Sequence, residues 1–298
     1  MKKLLLRLAI ALVMFFGLLG LHAAWVYSPA APVYVLGARA APLAVRLRTG
    51  AEHDRVRAEH GEPYVLELEA GDGALLYYGA YHADDPDDPQ LDDIAARWDA
   101  FQPTVALCEG RKRGHLLGPL LPRLVGLPEP AFVHELARRD DVELYSLEPG
   151  YADEVAAMLE RFEPDDLALY YTLRVYWSET GGAADEALAE DLRAKRTDVE
   201  GLREALPDLA AMDATWREHG PEGGWRTWNG GMVGTLRDID HASRAVRGEH
   251  MARLLVELVQ QGERVLAVVG SGHVIRQEWA LRAALGAEPA ADQPAGED

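Results

Sequence analysis

An α/β fold with a mostly parallel central sheet, helices on both faces and a helical insertion is predicted by three features of the sequence. Short apolar runs rich in β-branched residues alternate with longer stretches of helical periodicity, the pattern of strands joined by helical crossovers. The clearest run, Val265–Val269, lies between Gly262 and Gly270 and has no polar face, as expected of a strand buried on both sides. Four of the strand candidates are closely followed by a histidine or a glutamate, namely His82, Glu109, Glu148 and His273. Ligands of open parallel sheets collect at the carboxyl ends of the strands, so the third feature points to a site as well as to a fold.

Taken in order, the chain opens on Lys2, Lys3 and Arg7, followed by an uninterrupted apolar run from Leu8 to Leu21. This is the pattern of an export signal with its amino terminus inside. Residues 1–27 therefore read as a signal peptide or a retained membrane anchor, with Trp25 and Tyr27 placed as interfacial aromatics in the second case. Either way the rest of the chain is expected outside the cytoplasm, periplasmic or anchored to the inner membrane. Residues 28–62 are rich in Ala, Pro and charge without sustained periodicity, and read as a tether or peripheral segment. The folded α/β domain is expected over 63–285.

Tyr64–Glu69 alternates apolar and polar residues, and Gly71-Asp72-Gly73 turns it into the apolar run Ala74–Tyr78, a hairpin signal with a half-exposed first strand. Ala83–Pro89 is strongly acidic. It reads as the entry to a helix over Gln90–Phe101 rather than as a cation site, because no EF-hand spacing of ligands is present. Pro103–Leu107 and Val142–Leu147 are further strands, with a helix over Pro130–Arg139 between them. From about 164 to 234 the pattern is helical and carries a Gly- and Trp-rich loop, so this stretch is the predicted insertion. Leu236–Gln261 is a long helix leading into the final strand, Val274–Leu285 a helix after it, and residues 286–298 an Ala/Pro/acidic tail expected to be disordered.

The formal net charge of −19 repels phosphate backbones, which excludes nucleic acid as a partner and leaves the amino-terminal segment as the one expected membrane contact. The single cysteine, Cys108, allows neither an intrachain disulfide nor a Cys-based zinc site. Gly270-Ser271-Gly272 is not a nucleophile elbow, because Val269 stands where that motif needs glycine, and the same stretch lacks the last glycine of a dinucleotide fingerprint. His134-Glu135 is followed by Arg138 instead of a second histidine, so it is no zincin helix. His115, His134, His241 and His250 have no partner pattern and read as structural or surface residues.

Two imidazoles with a carboxylate suit a divalent ion of the Zn, Mn or Fe class. A second carboxylate would then serve as general base toward water. The same four groups can also activate water without metal.

In their order along the chain, these landmarks resemble the TraB/Tiki/ChaN superfamily, which includes the erythromycin esterases. The matching segments are Gly79–His82, Pro103–Glu109, Leu147-Glu148, Arg247–Met251 and Gly270–His273. Ala80 and Gly248 depart from the polar residues common in the family. The resemblance covers about Tyr64 to Leu285 and implies an erythromycin esterase (EreA)/ChaN-like sheet with a central cleft. It also implies His82, Glu109 and His273 as metal ligands and Glu109, Glu148 and Arg247 as catalytic residues, with Arg247 orienting carboxylates or steadying an oxyanion. The expected function is an exported metal-dependent hydrolase of a peptide or small-molecule ester. A haem- or metal-binding protein without catalysis is the alternative. The helical insertion would then be a substrate lid or a plain packing subdomain.

Overall fold

The computed structural model describes residues 12–20, 31–37, 41–81, 85, 87–110, 129–228 and 230–294. His82, three residues of the acidic stretch that follows it (83, 84 and 86), residues 111–128 and much of the expected export segment lie outside the described residues. The chain divides into two compact units. The first comprises Met1–Glu148 with Glu249–Asp298, and the second Pro149–Gly248.

The first unit is built on five strands, β1 (Tyr64–Ala70), β2 (Gly73–Ala80), β3 (Val105–Cys108), β4 (Glu143–Ser146) and β5 (Arg264–Gly270), in the order β1-β2-β5-β3-β4. Only β1 runs antiparallel. It pairs with β2 through the two-residue turn Gly71-Asp72, where Gly71 takes a φ of 61°. The other three pairings are parallel. The last strand in sequence therefore lies between β2 and β3, at the centre of the sheet. Burial follows the expected patterns. β1 alternates, with Leu66 and Leu68 buried and Glu67 and Glu69 exposed, whereas every residue of β2 and β3 is buried.

The two sheet faces carry separate cores. Leu75, Tyr77, Leu107, Val265, Ala267 and Val269 pack with the end of α9 (Gly234–Gln260) and with α10 (Ser271–Ala284). Leu76, Tyr78, Ala106, Leu266 and Val268 pack instead with α3 (Pro89–Phe101) and α4 (Glu129–Asp140). The alternation along each strand is the period-2 geometry of the pleat, and it places helices on both faces as predicted. The acidic stretch is the entry to α3, as read: Asp88 is the N-cap, accepting from the Gln90 amide at 2.8 Å, and Pro89 stands in the first turn.

The segments read as a tether or peripheral segment (28–62) and as a disordered tail (286–298) carry ordered contacts among their described residues. Val33 forms a parallel bridge to Ser146 at the β4 edge, and α2 (Gly50–His60) is a regular helix closed by a capping box between Thr49 and Glu52. Helical periodicity fails to show because α2 buries only His53 and Val56, so it has no apolar stripe to read. Its anchor is ionic. The Arg48 side chain, 1% exposed, pairs with Glu278 at 2.9 Å and with Asp292 of the tail at 2.6 Å, and its backbone N–H donates to the Arg276 carbonyl. Tyr64 donates to the same Glu278 at 2.7 Å, and Trp279 Nε1 donates to Asp292. Burial pushes the Glu278 and Asp292 carboxyls upward. Hydrogen bonds from Tyr64, Arg282 and Arg48 at Glu278, and from Arg48 and Trp279 at Asp292, outweigh burial and hold both below their ordinary values.

The second unit is helical and wider than the predicted 164–234. It comprises α5 (Tyr151–Leu159), α6 (Pro164–Thr180), α7 (Glu186–Thr197), α8 (Leu209–His219), a short 3₁₀ turn (Trp225–Thr227) and the first part of α9. Its core is continuous and includes Leu169, Tyr176, Leu202, Trp216, Trp225 and Ile239. A buried Glu154 accepts from Ser243 Oγ at 2.6 Å and from the Tyr171 hydroxyl at 3.0 Å, which ties α5 to α6 and α9.

Among the described residues no helix is long and apolar enough to cross a membrane. Residues 12–20 are helical (α1) and expose Leu12, Val13, Met14, Phe15 and Phe16.

Removing Arg48 takes away one of the two guanidinium partners of buried Glu278, Arg282 being the other, so Arg48→Ala is expected to cost about 1–3 kcal/mol in chemical denaturation at neutral pH. Both carboxyls titrate lower folded than unfolded, so their contribution is present above the ordinary carboxylate range and fades as pH falls below about 4. The difference between wild type and variant should therefore shrink in acid. A pH-independent difference would mean that Arg48 acts through packing alone.

Candidate functional site

The parallel pairings set the geometry of the site. Ala80 of β2 lies opposite Gly270 of β5, Val268 of β5 opposite Cys108 of β3, and Cys108 opposite Ser146 of β4. All four strands thus end on one edge of the sheet, and the residues following them are the four singled out in the sequence. Glu109 comes directly after β3, with its backbone N–H donating to the Val268 carbonyl at 3.2 Å, so the chain is still paired to β5 where the side chain leaves it. Leu147 continues β4 in the same way by donating to the Cys108 carbonyl, and Glu148 is the next residue.

Glu109 and His273 come together. His273 Nε2 stands 3.5 Å from Glu109 Oε1, an ion-pair distance longer than a good hydrogen bond. The other carboxylate oxygen, Oε2, accepts the backbone N–H of Gly270 at 2.8 Å. Gly270 is the N-cap of α10 and lacks a side chain to satisfy the first amides of that helix. A carboxylate beside these amides meets both the unpaired donors and the positive end of the helix dipole. Both side chains are 27% exposed, partly shielded yet open to a ligand.

The first turn of α10 rests against β2 because position 79 is glycine. A Cβ there would lie 2.7 Å from both Ser271 Cα and the Tyr64 carbonyl oxygen, and neither backbone atom can move without shifting its element. Gly79 therefore permits the close approach that puts His273 at the sheet edge.

Beneath the pair, the Tyr77 hydroxyl donates to Gln277 Oε1 at 3.0 Å, and both residues are fully buried. Burial, with the charge of Glu109 adding to it, drives the Tyr77 hydroxyl well above its ordinary value, so it remains a neutral donor. Ser271 is buried, and its hydroxyl donates to Glu62 Oε1 at 2.5 Å. Arg57 pairs with the same carboxylate oxygen at 3.1 Å. These contacts engage Ser271 in structure, in keeping with its exclusion as a nucleophile.

Glu148 is half-buried, and its amide donates to Ser146 Oγ at 3.3 Å. Arg247 is half-buried on α9 and belongs to the second unit. His82 lies outside the described residues. Among the described residues, no three of His, Cys, Asp and Glu gather closely enough to hold a metal ion, so the described core of the site is the Glu109–His273 pair. Two ligands bound at ~2.0–2.1 Å to a tetrahedral ion stand roughly 3.3–3.4 Å apart, so a separation of 3.5 Å fits two neighbouring positions around one ion.

The neighbourhood contributed by Tyr77, Gln277, Glu62 and Arg57 was not anticipated. Tyr77 reads in sequence as one more apolar strand residue, and Glu62 and Arg57 lie in the segment taken for a tether.

No family model matches this chain, and neither does any curated protein or solved structure. The resemblance to the TraB/Tiki/ChaN superfamily therefore rests on the residues themselves.

Gly79→Ala should cost about 1–3 kcal/mol, the range for forcing atoms into a packed site, measured by denaturation. Its more telling effect should be on the tryptic and hydrogen-exchange protection of the first turn of α10. Unchanged protection there would show that α10 does not depend on the gap at position 79.

Proposed function

We propose that the protein is an exported, metal-dependent hydrolase of the TraB/Tiki type that opens a peptide or ester bond with an activated water. The observation that carries this reading is the Glu109–His273 pair at the carboxyl edge of the parallel strands, spaced for two positions around one ion and partly open to solvent. In this reading His82, Glu109 and His273 hold a divalent ion of the Zn, Mn or Fe class, whose bound form supplies Lewis acidity and lowers the pKa of water. Glu148, the remaining strand-end carboxylate, takes the proton of the attacking water. Arg247 steadies the developing oxyanion, a role that rests on the sequence resemblance alone.

The protein's own groups are suited to these parts. Glu109 is anchored by the Gly270 amide through Oε2, and its Oε1 lies on the side of His273. A fixed carboxylate loses little entropy on binding an ion. The buried and neutral Tyr77, whose hydroxyl donates to Gln277, adds no charge beneath it. Export is supported by the basic start and apolar run of the first residues, continued in the exposed apolar face of α1.

The test is metal content and absorbance of protein purified from its own export route, beside His82→Ala and His273→Ala. The expected result is one colourless divalent ion per chain, lost in both variants together with hydrolysis of a peptide or ester panel. A Soret band with no hydrolysis would favour the haem-binding alternative. Metal and activity unchanged in both variants would contradict the site.

A further inference from the structure

In the helical unit, side chains from three helices meet in a row. Asp166 stands in the first turn of α6, His219 is the last residue of α8, and Thr235 lies in the first turn of α9. His219 Nε2 is 2.8 Å from Asp166 Oδ1, and its Nδ1 is 3.3 Å from Thr235 Oγ1. The Asp166 side chain is 12% exposed and that of His219 25%, while Thr235 is half-buried. Gly234 permits the second of these contacts. It takes a φ of 50°, and a Cβ there would lie 3.0 Å from the His219 carbonyl oxygen, so a larger residue would push the start of α9 away from the end of α8.

The order of the three groups decides what they can do. A carboxylate only accepts, so Asp166 keeps the proton of the neutral imidazole on Nε2. Nδ1 then carries the lone pair, and the Thr235 hydroxyl donates to it. A hydroxyl bonded to an imidazole that a third group orients is the arrangement of an activated nucleophile, and this bond is often looser before substrate binds. The amides that open α9, that of Thr235 among them, have no acceptor within the helix and are free to meet a developing oxyanion.

Asp166 and His219 also line a cavity of about 580 Å³, together with Glu163, Asp165, Thr215 and Glu218. Burial pushes the Asp166 carboxyl above its ordinary value, and Asp165, Glu218 and Glu163 add to the rise against the opposing pull of His219. The crowded carboxylates give the cavity a negative potential, which favours a positively charged group.

The geometry points to a second hydrolytic centre, in which Thr235 is the nucleophile, His219 its general base and Asp166 the group that orients the base, acting on an ester that carries a cationic group. Thr235 Oγ1 attacks the carbonyl carbon while its proton passes to His219 Nδ1. The bond to the alcohol oxygen breaks, and the alcohol leaves with that proton. Water then attacks the acyl-threonine and gives a proton to Nδ1. The acid is released as its bond to Oγ1 breaks, and Oγ1 recovers the proton. These steps need no metal, so the inference stands apart from the reading of Glu109 and His273.

The test uses the full chain in the presence of a chelator, with p-nitrophenyl p-guanidinobenzoate as a cationic ester and p-nitrophenyl benzoate as its neutral counterpart. The expected result is an initial burst of one p-nitrophenolate per chain, with the acyl group located on Thr235 by peptide mass mapping. Thr235→Val should abolish the burst and Thr235→Ser should retain it, which separates loss of the nucleophile from loss of the fold. Asp166→Asn keeps the shape but no longer fixes the tautomer, and should slow acylation by about 10²–10⁴-fold. Relative to its own spontaneous hydrolysis, the cationic ester should react faster than the neutral one, and Glu218→Gln should narrow the difference. No burst in the wild type, an unchanged burst in Thr235→Val, or an acyl group on another residue would overturn the proposal. Equal relative rates for the two esters would overturn the assignment of a cationic substrate. A burst that disappears with the chelator or in His273→Ala would belong to the strand-end pair and would overturn the second centre.

Discussion

Parallel pairing of β5 with β2 on one side and β3 on the other is the constraint on which the candidate site depends. Backbone hydrogen bonds in that register align the carboxyl ends of four strands, so residues more than 190 positions apart in the chain share one edge. The register does more than gather them. Because the Glu109 amide still donates to Val268 and the Gly270 amide donates to the Glu109 side chain, the carboxylate is held between two neighbouring strands at the point where α10 begins. His273 follows within the first turn of that helix, and the gap left by Gly79 lets the turn seat closely enough to bring its ring to Glu109.

Much of this was legible in the sequence because it follows from local rules. Val265–Val269 between two glycines reads as a buried central strand, and alternation in Tyr64–Glu69 reads as an edge strand. The Asp88-Pro89 pair reads as a helix start. The position of Glu109 and His273 near strand ends was equally visible, since both come within a few residues of an apolar run. What escaped was whatever depends on long-range pairing of charges. α2 has no apolar stripe, and its place is set by the capping box and by Arg48, whose partners Glu278 and Asp292 lie at the far end of the chain.

A division of labour between charge and packing runs through the first unit. Apolar side chains fill both faces of the sheet, and two of the unit's ionic groupings differ in kind: the buried Arg48 cluster and the carboxyl edge. The first is saturated by complementary partners and serves stability. At the second, a carboxylate anchored by one backbone amide faces a histidine at ion-pair distance, with both side chains partly open to solvent.

The most direct test of the central claim is the location of a bound ion. A crystal of the protein equilibrated with zinc should give an anomalous peak at the zinc edge about 2.0–2.2 Å from both His273 Nε2 and Glu109 Oε1. A zinc peak at another place, with Glu109 and His273 still facing each other across an empty gap, would contradict the account.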